Sequence, residues 1–321
     1  VTVLLSGSLA FDHIMLFPGY FEDHILPDKL HVLNVSFLVD SLDRFRGGVA
    51  GNIAYSLALL GQSCKIVAPV GTDFSEYQEV LAAGGVDVSG LKVIENELTA
   101  SAFITTDRAD NQITGFYPGA MGKAGEISLN GHLDGTRLGV VSPTAPDAME
   151  RHIRELAESG TPFMFDPGQQ IVALSASTLR AGIDSAQILV GNDYEFAMIA
   201  EKTGIPHDSL IRACPITVVT LGELGSTIRS GDEVFEIPAA PANVVVDPTG
   251  AGDAYRAGLI TGILNGWPLD AAGRLGSVTA SYAVEAKGTQ EFRYTIDELI
   301  ERFTSNFPEY AGHTSSLRAT S

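Results

Sequence analysis

Cysteine is scarce in this chain: Cys64 and Cys214 are the only two in 321 residues, too few for a disulfide framework. No apolar run is long enough to span a bilayer, and no secretory signal pattern is found. Lys and Arg number 20 against 39 Asp and Glu, and they form no basic run. The resulting formal charge of -19 repels a nucleic-acid backbone or an anionic membrane surface. The expectation is a chain of the reducing cytoplasm whose partners are small molecules, with neither nucleic acid nor membrane among them. Three nucleotide-site signatures are also missing. There is no G-x-x-x-x-G-K-[ST], no H-R-D with D-F-G, and no G-x-G-x-x-G after an early strand, so P-loop enzymes, protein kinases and nicotinamide-dependent dehydrogenases lose support.

What is present suits a large core, since 45% of the residues are hydrophobic and 18% charged, enough for one large α/β domain or two smaller ones. Short apolar runs read as buried strands at Val3 to Ser6, Lys65 to Val70, Leu138 to Val141, Pro162 to Phe165, Ile188 to Val190 and Ile216 to Thr220. Between them, Asn52 to Leu60, Ala145 to Glu158, Tyr194 to Lys202 and Ala254 to Leu264 carry apolar residues three and four apart. Strand and helix in alternation predict a mostly parallel sheet with helices on both faces. Two segments break the rhythm. "HVLNVSFLV", His31 to Val39, and "AFITTDRADNQITGFY", Ala102 to Tyr117, read as strand-rich excursions, the second with a polar turn at Asp107 to Asn111. They are expected to pair as a small accessory sheet, a lid. The residues from Ala311 onward are small and polar enough for a disordered tail.

The stretch "VVVDPTGAGDAYRAGL", Val244 to Leu259, carries the most chemistry. A turn of residues with little or no side chain exposes successive backbone N–H groups, and the first turn of a helix adds its own unsatisfied N–H groups and partial positive charge. Gly250, Ala251 and Gly252, followed by Asp253, thus form an anion site. A tight turn with an aspartate N-cap is the plainer reading. A carboxylate placed among donors suited to phosphate points instead to proton abstraction beside a transferring phosphoryl group.

"DPTGAGDAYRAG" resembles the second signature of the ribokinase/PfkB carbohydrate kinase family, D-T-x-G-A-G-D, with Pro248 departing from the usual Thr. The resemblance implies that Asp253 is the catalytic base and that Gly250, Ala251 and Gly252 form an anion hole over the γ-phosphate. "RFRGGVAGNIAYSLALLG", Arg44 to Gly61, resembles the first signature, with Gly47 and Gly48 as a lid hinge that closes on substrate and Asn52 offering a donor and an acceptor to a hydroxyl. A glycine pair before a capped helix would look the same in isolation. "GSLAFD", Gly7 to Asp12, resembles the family's G-x-x-x-x-D, in which Asp12 holds vicinal sugar hydroxyls. "GNDYE" resembles N-x-x-E, implying that Asn192 and Glu195 organise Mg²⁺ and phosphate, through water rather than by direct ligation. "TLGELG" resembles a nucleotide-binding turn, with Thr220, Gly222 and Gly225 at ATP beside Asn192. These motifs span most of the chain in order.

The resemblance implies a ribokinase-like α/β fold over residues 1–310, with lid segments at about 13–46 and 100–120 and a polar tail at 311–321. It also implies an ATP-dependent kinase. The segments "DHIMLFPGYFEDHILPDKLHVLNVSFLVD", Asp12 to Asp40, and "FYPGAM", Phe116 to Met121, resemble the bacterial adenosine kinase-like nucleoside kinases more than ribokinase or fructokinase. A nucleoside base would need an apolar wall, for which Phe37, Phe103, Phe116 and Met121 are available, although the same residues could simply form the lid's core. A ribokinase-like or fructokinase-like sugar kinase, or a non-catalytic sensor on the same fold, remains as an alternative. Mg²⁺ would bridge the nucleotide phosphates. Many relatives also bind a monovalent cation, which would place K⁺ at the Asp247 carboxylate and the carbonyls near Thr249, Ala283, Ala286 and Gly288. The chain is expected to be a monomer or a homodimer.

Overall fold

The structure, a computed structural model, describes residues 2–25, 31–32, 34–109 and 111–319. Its strands are β1 (Val3–Ser6), β2 (Ala10–Leu16), β3 (Ser41–Gly47), β4 (Cys64–Val70), β5 (Asp87–Val93), β6 (Ala100–Thr106), β7 (Gln112–Tyr117), β8 (Leu138–Val141), β9 (Phe163–Phe165), β10 (Ile188–Asn192), β11 (Ile216–Thr220), β12 (Ser226–Ser230) and β13 (Glu233–Ile237). The α-helices are α1 (Val49–Leu59), α2 (Ser75–Ala83), α3 (Pro146–Ser159), α4 (Ala176–Ser185), α5 (Asp193–Thr203), α6 (His207–Leu210), α7 (Ala251–Leu264), α8 (Leu269–Ala283) and α9 (Ile296–Asn306).

Nine strands form one sheet in the order β13-β12-β11-β10-β9-β8-β1-β4-β5. All neighbours are parallel except β11 with β12 and β12 with β13. The central strands read as unbroken apolar runs because both faces are covered. Their side chains divide between two cores with the period of two that a strand imposes. Val3 and Leu5 join α1, α7, α8 and α9 on one side, while Leu4 joins α3, α4 and α5 on the other. β10 repeats the pattern, with Ile188 and Val190 on the first side and Leu189 on the second.

The remaining four strands form a separate sheet in the order β3-β2-β6-β7. β2 runs parallel to β6 and antiparallel to β3, and β6 runs antiparallel to β7. The second excursion is therefore the expected hairpin, closed by the Asp107 carboxylate, which accepts from the backbone N–H of Ala109 and of Asn111 at 2.9 Å each. The first excursion is a correction. His31 and Val32 lie in a 3-10 turn, Asn34 to Val39 have no regular structure, and Leu33 lies outside the described residues. The alternation that suggested a strand is real, with Val35, Phe37 and Val39 half-buried and Asn34, Ser36 and Leu38 exposed. However, β3 ends the sheet, and among the described residues no neighbouring strand takes up this segment's hydrogen bonds. The polar tail is corrected too. Pro308–Ala319 is a 3-10 helix, Leu317 is fully buried against the main core, and Ser316 Oγ accepts from Trp267 Nε1 at 2.8 Å. The segment is held by Leu317 together with the Ser316 bond and the Arg318–Asp297 ion pair. Among the described residues, no helix is long and apolar enough to cross a membrane.

Candidate active site

Several carboxyl ends of the parallel strands converge with the N-terminus of α7, the position where open α/β sheets bind ligands. Gly250 caps α7 at φ 81°, a left-handed conformation that favours glycine. Asp253 follows in the first turn of the helix. Its Oδ2 accepts a 2.8 Å hydrogen bond from Asn52 Nδ2 on α1. Burial pushes the Asp253 carboxyl up to about 6, with Asp166 and Glu195 adding to the rise and Arg256 and Asn52 opposing it. The group is thus ionised above neutrality and still basic enough to take a proton.

Asn52 is more fully committed than a substrate-binding role suggests. Its Oδ1 accepts from Thr289 Oγ1 at 2.8 Å and from Gln290 Nε2 at 2.9 Å, which uses both acceptor positions, while Nδ2 holds Asp253. The expectation that Asn52 offers an acceptor to a substrate hydroxyl is therefore corrected: the residue positions Asp253. Gln290 also donates to the Tyr77 hydroxyl, and that hydroxyl donates to the Gly47 carbonyl at 3.0 Å. The first-signature loop is tied to Asp253 through this chain of bonds.

Asp12 lies within β2, opposite Phe45 of β3 and Ala102 of β6. A Cβ on Gly47 would stand 2.6 Å from Asp12 Oδ2, so the glycine is what admits the carboxylate. Burial pushes Asp12 up to about 6, with the nearby Asp247 carboxylate contributing. Gly48 caps α1.

Strand register sorts the aromatic candidates. Along paired strands, residues directly opposite share a face and neighbours along a strand do not. Phe116 pairs with Ala102, and Ala102 with Asp12, which puts Phe116 on the Asp12 face together with Phe45. Phe103 pairs with His13 and lies on the opposite face, stacked on the His13 ring at 4.7 Å. Phe37 packs at 4.8 Å from Phe17 and 5.0 Å from Phe21, in an aromatic cluster beside the small sheet. Met121 is buried with Ala10 and Ala100. Ala10 and Ala100 are two residues from Asp12 and Ala102 along their strands, so Met121 is on the Asp12 face too, and of the four expected wall residues Phe116 and Met121 keep that position. Phe45, which the sequence reading passed over, joins them.

Asn192 and Glu195 form a reciprocal cap at the start of α5. Asn192 Oδ1 accepts from the Glu195 N–H at 2.8 Å, and Glu195 Oε2 accepts from the Asn192 N–H at 2.7 Å. Burial raises Glu195, and Asp166 adds to the rise. Thr220 ends β11 and Gly222 and Gly225 shape the turn into β12, where the Leu221 N–H donates to the Gly225 carbonyl at 2.8 Å. Asp247 closes the loop before α7, its Oδ1 accepting from the Thr249 N–H at 2.9 Å and its Oδ2 from the Gly288 N–H at 3.2 Å. The Val246 and Asp247 N–H groups both reach the Val284 carbonyl, so the Ala283–Gly288 segment adjoins that loop. Each Asp247 oxygen keeps a lone pair, which suits an added cation. Among the described residues, no three His, Cys, Asp or Glu side chains converge to hold a metal by themselves. A magnesium ion would therefore have to take most of its ligands from nucleotide phosphate and water, which fits that ion's habit.

Two site residues escaped the sequence reading. Asp166 follows β9, and Arg256 sits one turn after Asp253. Both are buried, and they form an ion pair with Arg256 Nη2 donating to Asp166 Oδ1 at 2.9 Å and Nε 2.6 Å from Oδ2. The available signals were a carboxylate at a buried strand's end in "FDPG" and an arginine inside the apolar run of α7.

Comparison with known proteins gives concordant results. The pfkB family carbohydrate kinase profile matches residues 10–295. A nucleoside kinase from Methanothermobacter thermautotrophicus is 34% identical over 309 residues, 95% of this chain and 96% of that protein. Among solved structures, Burkholderia thailandensis nucleoside kinase in complex with inosine superposes with a TM-score of 0.86 at 38% identity, covering 96% of this chain and 98% of that one. The same protein in complex with ADP-inosine gives 0.84 at 40% identity, covering 96% of each.

Proposed function

The chain belongs to the pfkB family of carbohydrate kinases, phosphotransferases with a hydroxyl acceptor, and from that membership we propose that its acceptor is a nucleoside, with adenosine the first to test, phosphorylated on the 5′ hydroxyl by ATP. The observation that carries the reading is the Asp253 carboxylate, set in the Gly250–Asp253 turn and held at 2.8 Å by Asn52. Oδ2 is occupied by that bond, which leaves Oδ1 for the primary hydroxyl. As the oxygen attacks phosphorus, Asp253 takes its proton, and the backbone N–H groups of the turn meet the charge on the phosphoryl oxygens. Asp12 accepts hydrogen bonds from the vicinal ribose hydroxyls and so fixes where the primary hydroxyl points. Phe116 and Phe45 offer the apolar face a base needs. Nucleoside rather than free sugar is further supported by the nucleoside kinase relatives and by the inosine bound in the Burkholderia protein.

Mg²⁺, when bound with ATP, would neutralise phosphate charge, with Glu195 and Asn192 acting on its water shell. Asp247 and the Thr249, Ala283, Ala286 and Gly288 carbonyls would hold K⁺ and fix the turn. The small sheet, closing over the acceptor, would keep water from taking its place.

The test is an acceptor panel of adenosine, inosine, cytidine, ribose and fructose with MgATP, following ADP formation and product mass. Nucleosides should be turned over with a higher kcat/KM than either free sugar. Preference for ribose or fructose would overturn the nucleoside reading, and turnover of no acceptor would leave a sensor.

A further inference from the structure

Three carboxylates crowd the place where an anionic phosphate has to sit. Asp253 lies at the start of α7, Asp166 after β9 and Glu195 at the start of α5, and each of the other two raises the proton affinity of Asp253. Among the described residues, Arg256 is the cation that acts on Asp253 against them. Arg256 is 7% exposed and Asp166 1% exposed. The guanidinium donates from Nη2 to Asp166 Oδ1, and its Nε stands 2.6 Å from Oδ2 as an ion-pair contact. Its Nη1 stands 2.7 Å from where a Cβ on Gly252 would be, directly behind the glycine turn. Arginine stays charged in such a setting because its proton is held so tightly. A buried pair of this kind contributes little net stability beside well-packed apolar residues, so its presence calls for another account.

We infer that Arg256, clamped by Asp166, is a positioning residue of the transfer site, whose fixed charge beneath the Gly250–Asp253 turn keeps Asp253 in its proton-accepting form. Asp166 in turn sets how much of that charge Asp253 feels. The inference rests on the reading of Asp253 as the base. The other groups facing Asp253 are Glu195 on α5, the neutral amide of Asn52 on α1, and, across the Tyr77 hydroxyl of α2, Arg46 and Asp12 on the small sheet.

The two partners make opposite demands. Loss of the Arg256 cation disfavours the Asp253 anion, whereas loss of the Asp166 anion leaves Arg256 uncompensated and favours it. The experiment titrates ligand-free protein, isotope-labelled at the aspartate carboxyl carbons. Asp253 and Asp12 would be assigned by the resonances lost in Asp253→Asn and Asp12→Asn. Arg256→Gln should move the Asp253 titration to higher pH and Asp166→Asn to lower pH, each by on the order of one unit, and the double variant should fall between them. The acid limb of acceptor kcat/KM, measured with inosine and saturating MgATP, should move in the same order.

A merely structural pair would lower the urea midpoint without separating the two titrations. Titrations that stay together, or move in one direction, would overturn the inference. If Arg256→Gln fails to fold, a downward move in Asp166→Asn supports it and an unmoved or upward one refutes it. Because the titration needs no acceptor, opposite shifts uphold the charge relation even where the panel above finds no turnover. Turnover without opposite shifts defeats this inference alone.

Discussion

Replacing Asn52 with alanine removes a side chain whose every bond goes to the protein. Thr289 would keep a partner, because its hydroxyl also reaches the Arg46 carbonyl at 3.0 Å. Gln290 would keep Tyr77 but lose the acceptor for its second amide proton, and a buried donor left unmet costs about 1–3 kcal/mol. The lost bond to the Asp253 carboxylate adds a charge-assisted term of similar size, partly recovered by a water entering the vacated space, so the variant should be about 2–4 kcal/mol less stable. Urea unfolding measures that. In turnover, the same change frees the Asp253 carboxylate to wander, and a misplacement of about 1 Å costs on the order of 100-fold in kcat. The acceptor KM should change far less than kcat. Asn52 also favours the charged form of Asp253, so without it the carboxyl titrates at higher pH and the acid limb of kcat/KM moves up. Parental stability and an unmoved limb, or a loss confined to KM, would refute this reasoning and return Asn52 to the substrate.

Phe116→Ala should raise the acceptor KM by about tenfold, the worth of a partly buried ring, while Phe103→Ala on the other face should leave it nearly unchanged; equal effects would contradict the register argument. The Asp253 carboxyl is raised from 3.8 to about 6 in the fold, so its contribution to stability is present below its unfolded value and lost as pH rises through about 6. Asp253→Asn should therefore be more stable than the parent at about pH 8, by at most about 3 kcal/mol, with the gain shrinking toward about pH 4; a gain independent of pH would refute the charge argument. Replacing a bulky organic cation with K⁺ at constant ionic strength should raise activity, and a flat titration would remove the proposed cation site at Asp247.

How much of this was legible in the sequence depends on the kind of signal. Buried parallel strands such as Val3–Ser6 and Leu138–Val141 announce themselves because both faces are apolar. The β6–β7 hairpin was equally plain, since Asp107 closes it locally. His31 to Val39 misled because alternation records an extended chain and says nothing of a partner strand. The tail misled because its anchors, buried Leu317 and the bonds of Ser316 and Arg318 to Trp267 and Asp297, are long-range and leave no local pattern. At the site, the Gly250–Asp253 turn was visible because it is tied to local backbone chemistry, whereas the reciprocal cap of Asn192 and Glu195 was read only as a magnesium and phosphate motif. Asp166 and Arg256 are 90 residues apart, and no local pattern marks a long-range ion pair. The expected wall was only partly legible, for a simpler reason. Phe103 and Phe116 both look like lid aromatics, and a register readable only from the pairing puts them on opposite faces.

The most direct test of the central claim is the turnover of Asp253→Asn. The amide keeps the shape of the turn and can still accept from Asn52, but it cannot usefully take a proton. With adenosine or inosine and saturating MgATP, kcat should fall by on the order of 10²–10⁴, with the fold intact and nucleotide binding retained. Turnover close to that of the parent in the purified, folded variant would contradict the assignment of Asp253 as the base.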